Sequence, residues 1–409
     1  MKRAAIAVLA LATSVAFADV AVESVGQTVT LSDLKSTWFW ANDPILQKVS
    51  LTDFESGRAV GMVGGGWMIT VPVFPHHGGE FLVPETHYSR GSRGDRTDVV
   101  TYYDPHTLAP TGETLLPPKR AHNTLPFGNA AISDDDRFLA VFNMVPAQSI
   151  SIVDVKARKF VGEIDTPGCA MVYGAGPRRY MMMCGNGALM FVSLKEDGTL
   201  AEITRNERQF DPMSDPVREY GVRVGDVWHF VSFHGAVYTV DVSQPSPVFA
   251  QPWQLFSEDE RKDGWQLGGR EYIAIHAPTH RLYALMHRGD PDTHKQGGTH
   301  LWVYDLVTHR RIDDAKLLCP GFSFVGEAIL LPARWTWLYN WITNLAMRAD
   351  PRARPDLIAV TQDAQPRLLV SGEFTGMVAV YDALSLELER RVATGNITNM
   401  TLTPWLSQP

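Results

Sequence analysis

The sequence predicts an all-β chain folded as a seven-bladed β-propeller of four-stranded blades, with one short helical insertion. Three observations point there. Alternating apolar residues closed by an aspartate and a polar turn recur along the chain, as in HLWVYDLVTHRRI (300–312) and MVAVYDALSLELERR (377–391). A second short apolar run precedes each copy, and the units return at intervals of roughly 40–60 residues, the spacing of propeller blades. The composition suits strands and tight turns, with 33 glycines, 26 prolines and many β-branched and aromatic residues.

The first element is not part of that fold. MKRAAIAVLALATSVAFADV has a positive start at Lys2 and Arg3, an uncharged stretch from Ala4 to Phe17, and an A-x-A-like site at Ala16-Phe17-Ala18. The stretch is shorter than the roughly 20 residues of a membrane span. Residues 1–18 therefore read as a signal peptide and 19–409 as a single propeller domain in the periplasm or outside the cell. Loss of Lys2 and Arg3 takes the formal charge from −8 to −10. An acidic chain without blocks of basic residues cannot neutralise a phosphate backbone, so nucleic acid is excluded as a partner.

The blades follow in order. Copies of the phrase end at Asp104, Asp154, Asp241, Asp305 and Asp382, with a weaker one at 188–203. An aspartate suits that turn because its carboxylate accepts hydrogen bonds from the backbone N–H groups just beyond it. Residues 40–75 are expected to build the seventh blade. Asp134-Asp135-Asp136 read as a solvated turn rather than a metal site. Cys169 and Cys184 flank two short apolar runs joined by a Gly/Pro turn; a hairpin would bring them within disulfide reach, and an oxidising compartment favours the bridge over two free thiols. Cys319 is left over, as a buried thiol or an intermolecular link.

Residues 317–356 interrupt the pattern. Within 317–348 only Glu327, Arg334 and Arg348 are charged, and Trp337, Trp341 and Leu345 share helical spacing. Three readings stay open: a helix packed on its own propeller, a contact for a partner, and a membrane contact.

The chain contains no G-x-S-x-G, H-E-x-x-H, C-x-x-C or P-loop, and no C-x-x-C-H for haem attachment. No catalytic, cofactor-binding or metal residue is assigned. His287 and His294 stand seven apart without a third ligand nearby. A self-sufficient hydrolase would require titratable groups such as His122, His234 and His276 to converge at the central channel. In VGGGWMI (63–69) the glycines allow close backbone approach. Trp67 then either protrudes at a loop rim or is buried between blades.

DGWQLGGREYIAIHAPTHRLYALMHRGDPDTHKQGGTHLWVYDL (263–306), RGDRTDVVTYYDPHTLAPTGE (93–113) and DLIAVTQDAQPRLLVSGEFTGMVAVYDALSLELERR (356–391) resemble the large subunit of the tryptophan-tryptophylquinone amine dehydrogenases, the methylamine and aromatic amine enzymes. The Cys169–Cys184 spacing is similar to that family's large-subunit disulfide. The resemblance implies a seven-bladed, cofactor-free subunit in an α2β2 assembly, with the quinone and the catalytic base on a small, cysteine-rich partner. It implies oxidative deamination of a primary amine, methylamine in the first instance, and electron transfer to a cupredoxin such as amicyanin or azurin. It places Trp67, after Gly65-Gly66, where the family pattern has a Phe that narrows the substrate channel. The 317–348 insertion has no counterpart in that pattern. The alternative is a non-enzymatic propeller scaffold binding a partner or a membrane through the insertion.

Overall fold

The structure, a computed structural model, describes residues 30–405 apart from 69, 125, 291–292, 322, 325–326, 329–335 and 350. The expected signal peptide lies outside these residues. Seven antiparallel blades surround a central cavity. Blade 1 holds Trp38–Asp43, Lys48–Asp53 and Arg58–Gly64. Its innermost strand, Leu402–Pro404, comes from the far end of the chain and pairs Ala41 with Leu402 and Phe39 with Pro404. Blade 2 holds Phe81–Tyr88, Arg96–Tyr103 and Pro110–Leu116, with Val73 bridging to Leu82 in the inner position. Blade 3 runs Ala130–Ile132, Phe138–Asn143, Ser149–Asp154 and Lys159–Asp165. Blade 4 runs Cys169–Gly174, Arg179–Cys184, Leu189–Leu194 and Leu200–Arg205.

Blade 5 contains Val217–Val224, Val227–Ser232 and Ala236–Asp241, edged by Val248–Phe249 and Trp253–Gln254. In blade 6, Trp265–Leu267 and Ile273–His276 both pair with Arg281–Arg288, followed by His300–Asp305 and Arg310–Lys316. Blade 7 is Pro355–Val360, Arg367–Gly372, Met377–Asp382 and Leu388–Ala393.

Burial explains the repeated phrase. The second and third strands of a blade are covered on both faces by neighbouring blades, so Phe138–Asn143 and Ser149–Asp154 are buried throughout. The fourth strand lies at the perimeter, and Leu200–Arg205 is exposed throughout. Adjacent blades share aromatic and aliphatic cores: Tyr283 and Trp302 of blade 6 belong to one cluster with Val370 and Tyr381 of blade 7. Trp40 stacks on Trp405 with ring centroids 5.0 Å apart and packs on Phe81 of blade 2 at 5.4 Å.

The turn aspartates act as expected. Asp104 Oδ1 accepts from the backbone N–H groups of His106 (2.9 Å) and Thr107 (2.7 Å). Asp382 does the same for Leu384 (2.9 Å) and Ser385 (2.8 Å). The Asp134–Asp136 turn differs from its expectation as an ordinary solvated turn. Asp134 pairs with Arg223 of blade 5 through two bonds of 2.6 and 2.7 Å. Asp136 receives the backbone N–H groups of His76 and His77, each at 2.8 Å. The turn of blade 3 thus ties blade 2 to blade 5, and its partners lie too far along the chain to be read locally. Cys169 and Cys184 face each other across the two inner strands of blade 4 and form the expected disulfide.

Between blades 6 and 7 the insertion forms a strand pair, Ser323–Phe324 with Glu327–Ala328, and a helix, Thr336–Ala349. Arg391 of blade 7 fastens it, donating to Asn340 Oδ1 (2.9 Å) and to the Cys319 carbonyl (3.2 Å). Cys319 is a buried free thiol beside Met347 and Ala353, and burial pushes its pKa up to about 11.

Candidate functional site

The topology gives the propeller two unlike faces. Links from a blade's perimeter strand to the next blade's inner strand emerge on one face, together with the turns between second and third strands. The Gly65-Gly66-Trp67 segment is such a link, between blades 1 and 2. Gly65 N–H donates to the Gln47 carbonyl and Trp67 N–H to the Thr86 carbonyl, each at 2.6 Å. A Cβ on Gly66 would stand 2.5 Å from the Thr86 oxygen and 2.8 Å from its nitrogen, so only glycine lets the two backbones touch. This resolves the sequence alternatives midway. Trp67 is half-buried, with its ring edge-on to Tyr88 at 6.4 Å and 89°.

A polar network holds this corner. Tyr88 Oη lies 3.3 Å from His122 Nε2. Asp98, fully buried, accepts from Arg96 Nε (2.9 Å) and Nη2 (2.8 Å), from Thr86 Oγ1 (2.9 Å) and from Arg120 N–H (2.8 Å). Arg120 Nε donates to Thr86 Oγ1 at 3.1 Å, and burial pushes this guanidinium down to about 10. Burial lowers the His122 pKa too, reinforced by the positive charges of Arg96 and Arg120, so its imidazole is neutral at pH 7. His87 moves the other way, raised chiefly by the carboxylate of buried Glu85, 3.8 Å from its Nε2. The sequence reading missed Tyr88, Arg96, Asp98 and Arg120, because the corner forms only where two strands of blade 2 meet the link that follows them.

The central cavity, about 600 Å³, is lined by the seven inner strands. Buried Glu271 reaches it and accepts the Leu402 N–H at 3.0 Å; burial holds its carboxyl well above the usual range. The three histidines of the hydrolase alternative do not converge. His122 lies between blades 2 and 3 and His234 on the blade 5 turn near Asp215, at 3.6 Å. His276 ends the inner strand of blade 6 towards the other face, with its ring nitrogens on Thr279 Oγ1 (2.7 Å) and the Asp363 carbonyl (3.1 Å). None lines the cavity. Among the described residues no group of three or more His, Cys, Asp or Glu could hold a metal ion.

The face bearing Trp67 is also the apolar one. Ile45, Leu46, Met144, Val145, Phe374 and Ile397 are exposed on its loops, and Met213 is 90% exposed. The opposite loops expose only Val307 and Leu384 among the large apolar residues described. Such a surface suits coverage by another protein.

Comparison with known proteins identifies the lineage. The model of the family described as "Methylamine dehydrogenase heavy chain (MADH)" matches residues 39–318, from the first strand of blade 1 to the end of blade 6. The chain belongs to the methylamine dehydrogenase heavy chain family. Two relatives are methylamine dehydrogenase heavy chains. That of Paracoccus versutus is 27% identical over 343 residues, 83% of this chain and 72% of that one. That of Methylorubrum extorquens is 28% identical over 274 residues, 65% of each chain. Solved structures share the fold alone. A functionally unknown protein from Desulfotomaculum acetoxidans has TM-score 0.57 at 10% identity, over 90% of this chain and 98% of that one. The Cps50 (Swd1) β-propeller domain of Myceliophteria thermophila has TM-score 0.54 at 10% identity, over 88% and 97%. The family match stops where the insertion begins.

Proposed function

We propose that this chain is the large, cofactor-free subunit of a periplasmic quinoprotein amine dehydrogenase. The enzyme converts a primary amine, methylamine in the first instance, to aldehyde and ammonia and passes the electrons to a cupredoxin such as amicyanin or azurin. The carrying observation is the family match across six of the seven blades. The reading requires a small subunit bearing tryptophan tryptophylquinone, in an α2β2 assembly, and the apolar face around Trp67 supports a docking place for it. The leader sequence supports export.

This chain's own tryptophans do not fit the quinone. Among the described residues two tryptophan pairs are in ring contact, Trp40–Trp405 at 5.0 Å and Trp265–Trp302 at 4.9 Å. The first pair is buried within the core shared by blades 1 and 2, and Trp302 is buried in blade 6, so neither pair offers a substrate amine an open edge. The partner's quinone supplies the carbonyl that takes up the amine. The large subunit contributes the entry wall: Trp67 narrows it, Tyr88 braces the ring, and neutral His122 adds no charge to repel an ammonium ion.

The test is purification from the native periplasm under conditions that preserve complexes. The expected result is a small co-purifying chain, a quinone absorbance and amine-dependent dye reduction, all absent from the large chain alone. Recovery of the intact propeller without a small partner, or amine oxidation by the propeller alone, refutes the assignment.

A further inference from the structure

The insertion helix presents its apolar stripe to solvent. Tyr339, Thr343 and Met347 face the propeller and are buried, whereas Trp337, Trp341 and Leu345 are 65, 62 and 52% exposed. These three stand four residues apart and form one ridge, with Ile342 beside them at 48% exposure. A helix on a soluble protein ordinarily turns such a stripe to the core. Here the opposite side is pinned: Arg391 bonds Asn340 and sits over the Tyr339 ring at 5.2 Å.

Charge separates the possible occupants. Residues 317–354, between blades 6 and 7, carry Arg334, Arg348, Arg352 and Arg354 against Glu327 and Asp350, a formal +2 within a chain of −8. Two copies meeting at this segment would oppose like charges. The family match ends at 318, so the ridge lies outside the matched part of the fold. Tryptophans on one side of a helix without acidic residues, in a basic segment, have the makeup of a helix lying in the lipid interface. Its 14 residues span about 21 Å, and no described helix is long and apolar enough to cross a membrane. The contact is therefore in the plane of the surface.

We propose that Trp337, Trp341 and Leu345 seat this protein on an anionic lipid surface, entering the headgroup–acyl boundary while the insertion's positive charge adds attraction to the headgroups. This goes beyond the amine dehydrogenase reading and stands or falls separately from it.

The experiment mixes the purified protein, with its small subunit where one co-purifies, with vesicles of phosphatidylcholine and of phosphatidylcholine with phosphatidylglycerol. Co-sedimentation with the mixed vesicles is expected, weakened by salt, with tryptophan fluorescence quenched by brominated acyl chains. The triple variant Trp337→Ser, Trp341→Ser, Leu345→Ser is expected to bind at least about ten-fold more weakly with an unchanged thermal midpoint. Quenching of the wild type reads insertion directly and does not depend on the variant. No vesicle binding by the wild type, or equal binding by a folded triple variant, overturns the proposal. So does a ridge-dependent dimer in sedimentation without vesicle binding. Loss of amine oxidation bears on the proposed enzyme and leaves this outcome untouched.

Discussion

Gly64 and Gly66 lie two residues apart and should respond oppositely to the same added methyl group. A Cβ on Gly64 would meet nothing within 4 Å, whereas one on Gly66 would stand 2.5 and 2.8 Å from backbone atoms of Thr86. Those atoms belong to blade 2, where Thr86 pairs with Asp98, so they cannot swing aside as a side-chain tip could. Overpacking of this kind costs about 1–3 kcal/mol. Unfolding entropy near 2.1 cal/mol/K per residue over roughly 380 residues gives a midpoint fall of about 1–4 °C for Gly66→Ala. Gly64→Ala should match the wild type. Calorimetry of the three proteins decides it, and amine kinetics on the assembled enzyme add a second reading. In the proposed amine dehydrogenase, moving the Gly66 backbone would displace Trp67, so KM for the amine should change in Gly66→Ala alone. Equal midpoints for the two variants, with unchanged kinetics, would refute the claim that backbone contact positions Trp67.

Three further outcomes are expected. Asp98→Asn removes the charge that Arg96 and Arg120 share in a buried corner, and urea unfolding should show a loss of about 3–5 kcal/mol. Glu271 has a raised folded-state pKa, so its stabilising contribution is complete below its unfolded value of 4.5 and is lost as pH rises towards the folded value. Glu271→Gln retains an oxygen for the Leu402 N–H, and its thermal midpoint should exceed the wild type's at neutral pH while the two converge near pH 4 to 5. The turn carboxylates oppose this at low pH. Backbone N–H bonds, from Thr107 first, hold Asp104 below its ordinary value, so its contribution persists above pH 3.8 and disappears on further acidification. Replacing Cys169 and Cys184 with serine opens a loop of sequence separation 15, which should cost about 3 kcal/mol in denaturant. Reductant should lower wild-type stability and leave the double variant unchanged.

The blades were legible because their signals are local. Alternation marks the strands, and an aspartate such as Asp305 closes its turn with N–H groups two and three residues on, at 3.0 and 2.6 Å. The Cys169–Cys184 pairing was legible for the same reason, both residues belonging to one hairpin. Contacts between blades were not. Asp134 meets Arg223 across 89 residues, so its turn read as merely solvated. The corner that holds Trp67 joins Arg96 and Asp98 of one strand to Thr86 of another and to Arg120 of the link that follows the blade, and nothing near the glycines announces them. Helical spacing revealed the ridge Trp337–Trp341–Leu345 but not its direction. Tyr339, Thr343 and Met347 form an equally regular stripe, and Arg391, from the last strand of blade 7, fixes that side inward.

The pairing of Leu402–Pro404 with Trp38–Asp43 makes closure of the ring wait on a segment far along the chain. Until Leu402–Pro404 docks, the first blade lacks its innermost strand, and Trp38–Asp43 offers an open edge of backbone donors and acceptors beside Trp40 and Phe39. Such an edge recruits strands from other molecules. The protein is thus most prone to aggregate while that strand is undocked, and a nonsense change or protease cut ahead of Leu402 would leave that seam unsealed. The ring is a clasp whose hook comes from far along the chain.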